Sequence, residues 1–545
     1  MALLERRPQA GGTTGIAVGS FTAAGTRWQK RAGIDDNPAN HAEDVALFAD
    51  PGIEARNNEP LRRFFLEHAA ETLHWLQEEL GLNYVGPSPE PPNRCARMHN
   101  VVPGAKAYIA RFQLALRRRG VTIITGAEVN RLVLDDGRIT GVEFLQGAGV
   151  RQLRARRGVI LATGDYANNP GMIAHHKGEK YRQIEGINPH ALGHGHDLAE
   201  QVGARLVNMD ITYGPELRLV AHSSKPFQQW LPASGCASRI MGWLAERMPG
   251  WMINRFIKRL LVTWQHPEDA LFQDGAILVN SRGERFVNEL SWPEREIAVA
   301  RQPGKTAYLL LDGRLCEQYS RWPKFISTAP DIAYAYVDDY LRLRPDVTAS
   351  GTRIEQLCQL RGLDATVLKA SIEQFNQHAR EGTVDSHGRP GAASPLVTAP
   401  WLLLGPVKAY FTTTEGGAAI NQRLQVLDQQ DQPIRSEAID EAHGVSGVRG
   451  MRGGRDARSA RRFLNLPAGE VNSGPFFRAR RGRLIRRSCR RCGWPRLPGA
   501  RGPRGAPPGR PAGRSAHKKG RGEKEEKEVE AMVKARQTQD KALHT

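Results

Sequence analysis

Apolar positions recur every three to four residues through PLRRFFLEHAAETLHWLQEEL (60–80) and again through GAKAYIARFQLALRRR (104–119), a spacing that predicts two amphipathic helices. The second leads into VTIITGAEVNRLVLDDGRITGVEFLQ, where apolar and polar residues alternate and a DDG turn joins two strands. RARRGVILATGDY (154–166) reads as a buried strand that breaks at a glycine. HDLAEQVGARLV reads as a helix ended by Gly203 and followed by another strand. GAILVNSRGERFVNE (275–289) predicts a strand, a turn at Arg282-Gly283 and a second strand, and residues 352–381 predict a helix, a glycine-containing turn and a second helix. Residues 215–270 are rich in Trp, Met and Arg and show a poorer pattern, while FTTTEGGAAINQRLQVLDQQDQPI returns to strands with a glycine pair and a DQQD turn. Helices and strands alternating at these lengths argue for an α/β fold with a largely parallel sheet.

The first fifteen residues, MALLERRPQAGGTTG, close a short strand with Glu5 and run into a glycine-rich loop. A nest of N–H groups in such a loop can hold phosphate, and an acid at a strand end is what a ribose hydroxyl pair requires of a dinucleotide site. Each feature also has a plain reading, a common loop and a solvated acid. Ala162, Thr163 and Gly164 end the apolar run VIL, and small residues there let backbone approach a flat or phosphorylated ligand, or simply make a tight turn.

The chain has 545 residues, enough for two or more domains, with 40% hydrophobic and 25% charged residues, ordinary for a soluble globular protein. No apolar run approaches the roughly 20 residues that span a bilayer, and the N-terminus lacks the regions of a signal peptide. Six cysteines in this length are no disulfide framework, so a reducing cytoplasm is expected. The formal charge of +20 is concentrated at one end: residues 434–545 hold about 28 Lys and Arg against about 11 Asp and Glu, which leaves the preceding residues nearly neutral. That end is Arg-, Gly- and Pro-rich without helical or strand periodicity, a composition expected to be disordered. It is open to three readings, a nucleic-acid-binding tail, a linker, or an off-frame translation of GC-rich DNA. Cys489 and Cys492 form a lone CxxC there, with no second pair or His to complete a metal site.

Taken in order, ALLERRPQAGGTT, AAGTRWQ, the Arg97/His99 region before VVPGAKAYI, TGAEVNRLVLDDGRITGV, VILATGDYANNP, GHGHDLAEQVGARLVNM, GAILVNSRGERFVNE and TTTEGGAAINQRLQVLDQQDQPI resemble the flavoproteins of the fumarate reductase/succinate dehydrogenase type, a group that also contains the 3-ketosteroid dehydrogenases. The resemblance covers roughly residues 2 to 433. It implies a Rossmann-like FAD-binding domain over 1–269, an inserted α+β capping domain over 270–411, a return segment over 412–433 and a disordered basic tail over 434–545. Such proteins carry a strand and a GxGxxG loop about thirty residues upstream of the acid, a segment this sequence does not contain. The resemblance implies FAD as cofactor. Glu5 would hold the adenosine ribose, and Gly11, Gly12, Thr13 and Thr14 would line the pyrophosphate and flavin edge. Val129 would present backbone to the adenine, and Ala162, Thr163 and Gly164 would pack along the dinucleotide, with Asp165 standing where the family usually has a second glycine.

By the same resemblance, Glu289 matches an acid of a proton-delivery chain, with Arg295 as its expected partner, and a surface Glu–Arg pair as the plain alternative. Thr412, Thr413, Thr414 and Glu415 stand where the dicarboxylate enzymes carry a substrate-binding histidine, and their catalytic arginine would fall near Cys316, with Arg314 close by. A dicarboxylate needs cationic donors to offset its desolvation. Their loss, with Tyr410 and the pair Gly416/Gly417, implies a carbonyl-bearing or enone substrate, a phenol donating to its oxygen, and an electron partner that the sequence does not name. The expected activity is hydride transfer between flavin N5 and a C–C bond beside a carbonyl, in the steroid dehydrogenase manner or more broadly. The competing reading is an inactive remnant whose basic tail binds nucleic acid or an anionic surface.

Overall fold

The computed structural model describes residues 1–221, 231–233, 235–329, 333–391 and 394–435. The predicted tail therefore lies outside the described residues, as does its CxxC.

Local signals place most elements. Helix Glu59–Glu78 starts where the Asn58 side chain accepts from the Leu61 N–H, and it buries Leu66, Ala69, Leu73 and Leu76 at helical spacing. Helix Lys106–Arg118 follows the second predicted helix. Residues 352–381 form helices Ile354–Arg361 and Ala365–Glu381, separated by Gly362 in the left-handed conformation, with Asp364 capping the second. The DDG hairpin forms between strands Ala127–Asp135 and Arg138–Gln146, with Asp136 and Gly137 both at positive φ.

The N-terminal strand Ala2–Glu5 pairs in parallel with Thr122–Thr125, but among the described residues the other strand pairs are antiparallel except Glu185–Gly186 on Trp401–Phe411, which corrects the expected largely parallel sheet. A small apolar core joins Leu4 and Ile124 to Val129 and Phe144 of the hairpin sheet and to Leu198 and Val202 beside helix His194–Gln201. Val159 and Leu161 enter this core, but residues 158–165 form no strand, and Ile160 is 65% exposed. This corrects the buried strand expected over 154–166. Side chains alternate inward and outward there, yet among the described residues no neighbouring strand completes the ladder. The second strand expected within 275–289 is also absent. Ile277–Val279 is a strand and the Arg282-Gly283 turn forms, but 284–289 folds back as irregular chain held by a buried ion cluster.

The largest core surrounds a six-stranded sheet built on Trp401–Phe411. That strand pairs with Glu216–Leu219, Ala307–Leu311, Thr348–Gly351 and, in parallel, Glu185–Gly186, while Ile277–Val279 adds beyond Ala307–Leu311. The sheet thus draws strands from both sides of the boundary expected at residue 269/270. Leu402, Leu403, Leu404, Val407, Ala409 and Phe411 are buried, and each fully buried Leu or Phe contributes about 1.5–3 kcal/mol. Two amphipathic helices, Gly235–Arg247 and Gly250–Trp264, occupy the stretch whose sequence pattern is poor.

Candidate functional site

Two chain segments converge on the start of helix His194–Gln201. From the N-terminal side, the Arg6 guanidinium donates to the His190 carbonyl (3.2 Å) and lies 3.3 Å from His194 Nε2, while the Asn188 amide donates to the Thr13 hydroxyl (2.9 Å). Glu128, next to Val129, approaches His194 at 3.4 Å. The Glu5 carboxylate accepts from the Arg7 N–H (2.9 Å) at the carboxyl end of its strand. From the other side, the Gly193 N–H donates to the Asp165 carbonyl (3.2 Å), and Thr163 lies so close to Gly195 that a Cβ there would overlap its hydroxyl. Arg6, Thr13, Glu128 and Thr163 thus each meet the stretch 188–195.

Bare backbone is open at three glycines of these segments. Gly12 and Gly164 take positive φ (52° and 79°), and at Gly11, Gly12 and Gly164 no atom lies within 4 Å of the place a Cβ would take. Open glycines and an acid at a strand end fit a dinucleotide that needs unobstructed backbone along its pyrophosphate.

A buried polar group stands around His196. The Tyr166 N–H donates to the Thr414 hydroxyl (3.3 Å), and His196 Nε2 donates to the Gly416 carbonyl (3.0 Å), a direction fixed because a carbonyl only accepts. This leaves His196 Nδ1 as an acceptor, buried without a hydrogen-bond partner and in edge contact with Tyr166 at 5.0 Å between ring centroids. Burial pushes the Asp165 carboxyl up, against the Ala167 N–H that donates to it (2.8 Å). Burial and the nearby Asp165 also push Glu415 up. Gly416 packs where a Cβ would meet Met209 Cα at 2.5 Å, so it serves close chain packing, and Gly417 faces His196.

Glu289 is fully buried. Its carboxylate accepts from Arg285 (3.0 and 2.9 Å), from Arg389 (2.8 Å) and from the Leu278 N–H (3.1 Å). Burial alone would raise it, but the two guanidinium groups hold it below the ordinary carboxylate range. The expected Glu289–Arg295 side-chain pair is corrected here. Arg295 pairs with Glu296 and Asp269 and meets Glu289 only at its backbone carbonyl (3.0 Å), and both Glu289 and Arg295 are buried. Arg314 donates to the Asp274 carbonyl (3.0 Å) and lines a cavity of about 640 Å³ with Cys316, Thr398 and Trp401, none of whose lining residues is Gly11, Gly12 or Gly164.

A group the sequence did not single out lies on the polar face of the central sheet. Glu216, Cα partner of Tyr410, accepts from Arg218 (2.9 Å), which also donates to the Thr412 hydroxyl (3.1 Å). His266 stands 3.9 Å from Glu216, and Lys408 and Lys305 both pair with Glu185 (3.3 and 3.2 Å). Burial pushes His266 down, which keeps it neutral at pH 7, and burial with Glu185 pushes the Tyr410 phenol up to about 12. The alternation of PELRLV is the sequence signal that could have revealed this face.

Open glycines after a parallel-paired strand that ends in Glu5 are features a nucleotide-cofactor-binding α/β protein requires. The chain belongs to the FAD binding domain family, whose profile matches residues 1–220 and 252–435, and FAD is the cofactor that membership assigns. It is 25% identical over 438 residues to a Shewanella frigidimarina protein named "Probable fumarate reductase Ifc3", covering 79% of this chain and 63% of that one. It is 26% identical over 314 residues to the 3-oxosteroid 1-dehydrogenase of Mycobacterium tuberculosis, covering 54% of this chain and 46% of the relative. The chain thus spans less than two thirds of the length of these relatives. In fold it is similar to a flavocytochrome c3 fumarate reductase in its open conformation, with a TM-score of 0.57 at 23% identity, covering 87% of this chain and 74% of that one.

Proposed function

We propose that this chain is a FAD-dependent dehydrogenase or reductase acting on a C–C bond beside a carbonyl. Bound FAD supplies an acceptor or donor of hydride at its flavin ring. Glu5 holds the adenosine ribose, the backbone of Gly11, Gly12 and Gly164 leaves room for the pyrophosphate, and Asp165, His196 and Glu415 shield the inner end from water.

The observation that carries the substrate class is the charge state of the polar sheet face. Arg218 is already paired with Glu216, Lys408 with Glu185, and His266 and Tyr410 are neutral donors at pH 7. A dicarboxylate brings two charges that such a neutralised set does not offset, whereas a carbonyl oxygen needs one good neutral donor. In this reading Tyr410 donates it. The division into a cofactor domain, a cap over 270–411 and a return segment remains part of this reading, as does a reducing compartment, which the free Cys95, Cys316 and Cys358 support. Among the described residues no helix is long and apolar enough to cross a membrane.

The test is flavin reconstitution followed by dye-linked turnover of a cyclic enone or ketone against fumarate and succinate. A yellow protein that turns over the carbonyl compound, with Tyr410→Phe lowering kcat about 10²–10⁴-fold at unchanged melting temperature, agrees with the proposal. Turnover of the dicarboxylates alone, or an unimpaired Tyr410→Phe, refutes the substrate class. A protein that takes up no flavin favours the remnant reading.

A further inference from the structure

Helix Gly235–Arg247 has two unlike faces. One packs on strands Asn83–Ser88 and Met98–Val102, closely enough at Gly242 that a Cβ would meet the Asn83 side chain at 2.7 Å. The opposite face carries Ile240, Trp243 and Leu244, at i, i+3 and i+4, which are 59%, 55% and 50% exposed. Arg247, one turn on from Trp243, lies over its ring at 4.4 Å and donates to its carbonyl (3.2 Å). After Pro249, helix Gly250–Trp264 exposes Met252, Arg255 and Arg259, while Leu261 and Val262 are buried. Across 235–264 the sequence has five basic residues and one acid, Glu246, and of the five Lys258 pairs with Asp339 (2.8 Å), although the chain before residue 434 is nearly neutral. The match to the family profile breaks off at residue 220 and resumes at 252, so the helix Gly235–Arg247 lies outside the matched residues.

We propose that this helical pair is a docking surface for an anionic lipid bilayer, with Ile240, Trp243 and Leu244 entering the headgroup region. Three large apolar side chains on one helix face, a tryptophan at the border and arginines beside them match the physics of an interfacial helix. The ring prefers the headgroup level, the apolar neighbours leave water, and the basic side chains meet lipid phosphates. Charge decides against a second copy of the chain as occupant, because a two-fold contact would place like basic groups against each other. The same charge complements an anionic leaflet.

The experiment is co-sedimentation of the full chain with phosphatidylcholine vesicles and with vesicles that also contain phosphatidylglycerol, beside sedimentation velocity without lipid. Binding is expected to the anionic vesicles. The triple variant Ile240→Ser/Trp243→Ser/Leu244→Ser is expected to lower the partition coefficient at least about tenfold. Its melting temperature should not change, because the three side chains are already exposed. No binding by the parent chain overturns the proposal. Binding that survives the triple variant also overturns it, and assigns the vesicle contact to the basic residues beyond 434. A triple variant that converts a dimer to a monomer without changing vesicle binding overturns it in favour of a contact between copies.

Discussion

Glu289→Gln separates a structural carboxylate from a catalytic one. The carboxylate lies inside a ring of donors, Arg285, Arg389 and the Leu278 N–H, and Arg389 also donates to the carbonyls of Ala276 and Phe272. Glutamine keeps the shape but removes the charge and turns an amide N–H₂ toward a guanidinium. Arg285 retains Asp385 at 2.9 Å, but Arg389 is left buried against carbonyl dipoles alone. Breaking a buried pair by removing one partner costs about 3–5 kcal/mol, and the retained Asp385 contact places the expected loss toward the lower end. Urea denaturation followed by circular dichroism measures it. The pH dependence carries the matching sign. The Glu289 carboxyl is held low in the fold, so its stabilisation is present above the unfolded value of 4.5 and is lost as pH falls below it. Glu289→Gln should therefore lose most against the parent at neutral pH and converge with it in acid. A variant with unchanged urea midpoint and abolished turnover would refute the reasoning and return Glu289 to the proton-delivery role.

Two further substitutions test the packing and the titration of the same region. Gly416→Ala places a methyl 2.5 Å from Met209 Cα and 2.8 Å from the Asn208 carbonyl, both backbone, so a loss of about 1–3 kcal/mol is expected by denaturation, and a neutral effect would refute the close packing. Glu268, pushed up to about 7 by burial and by Asp269, contributes stability that is full below 4.5 and is lost as pH rises through about 7. Glu268→Gln should match the parent in acid and melt higher at mildly alkaline pH, and parallel melting curves across that range would contradict the assignment.

Much of this fold is readable from periodicity because local signals suffice. Helix Glu59–Glu78, the hairpin turning at Asp136-Gly137 and the helix pair around Gly362 each carry their own caps and turn residues. Residues 159–161 show the limit. Their alternation is that of a strand, but a strand is a pairing, and the partner is a matter of the rest of the sheet. Helices Gly235–Arg247 and Gly250–Trp264 escaped because exposed Ile240 and Trp243 blur the contrast between inner and outer face. The open glycines and the strand ending at Glu5 were legible as local motifs. The partnership of Glu289 with Arg389, a hundred residues away, was not, nor was the meeting of Arg218, His266 and Thr412 on one sheet face.

The strand Trp401–Phe411 ties the polar face to the core by simple parity. Val407, Ala409 and Phe411 point into the apolar interior, and Lys408 and Tyr410 to the other side. Deleting one residue between 402 and 406 would exchange these two sets, driving an ammonium and a phenol into oil and setting an aromatic ring on the polar face. Length variation in lineages of this protein should therefore accumulate in its loops and spare this segment, where only paired deletions preserve the alternation.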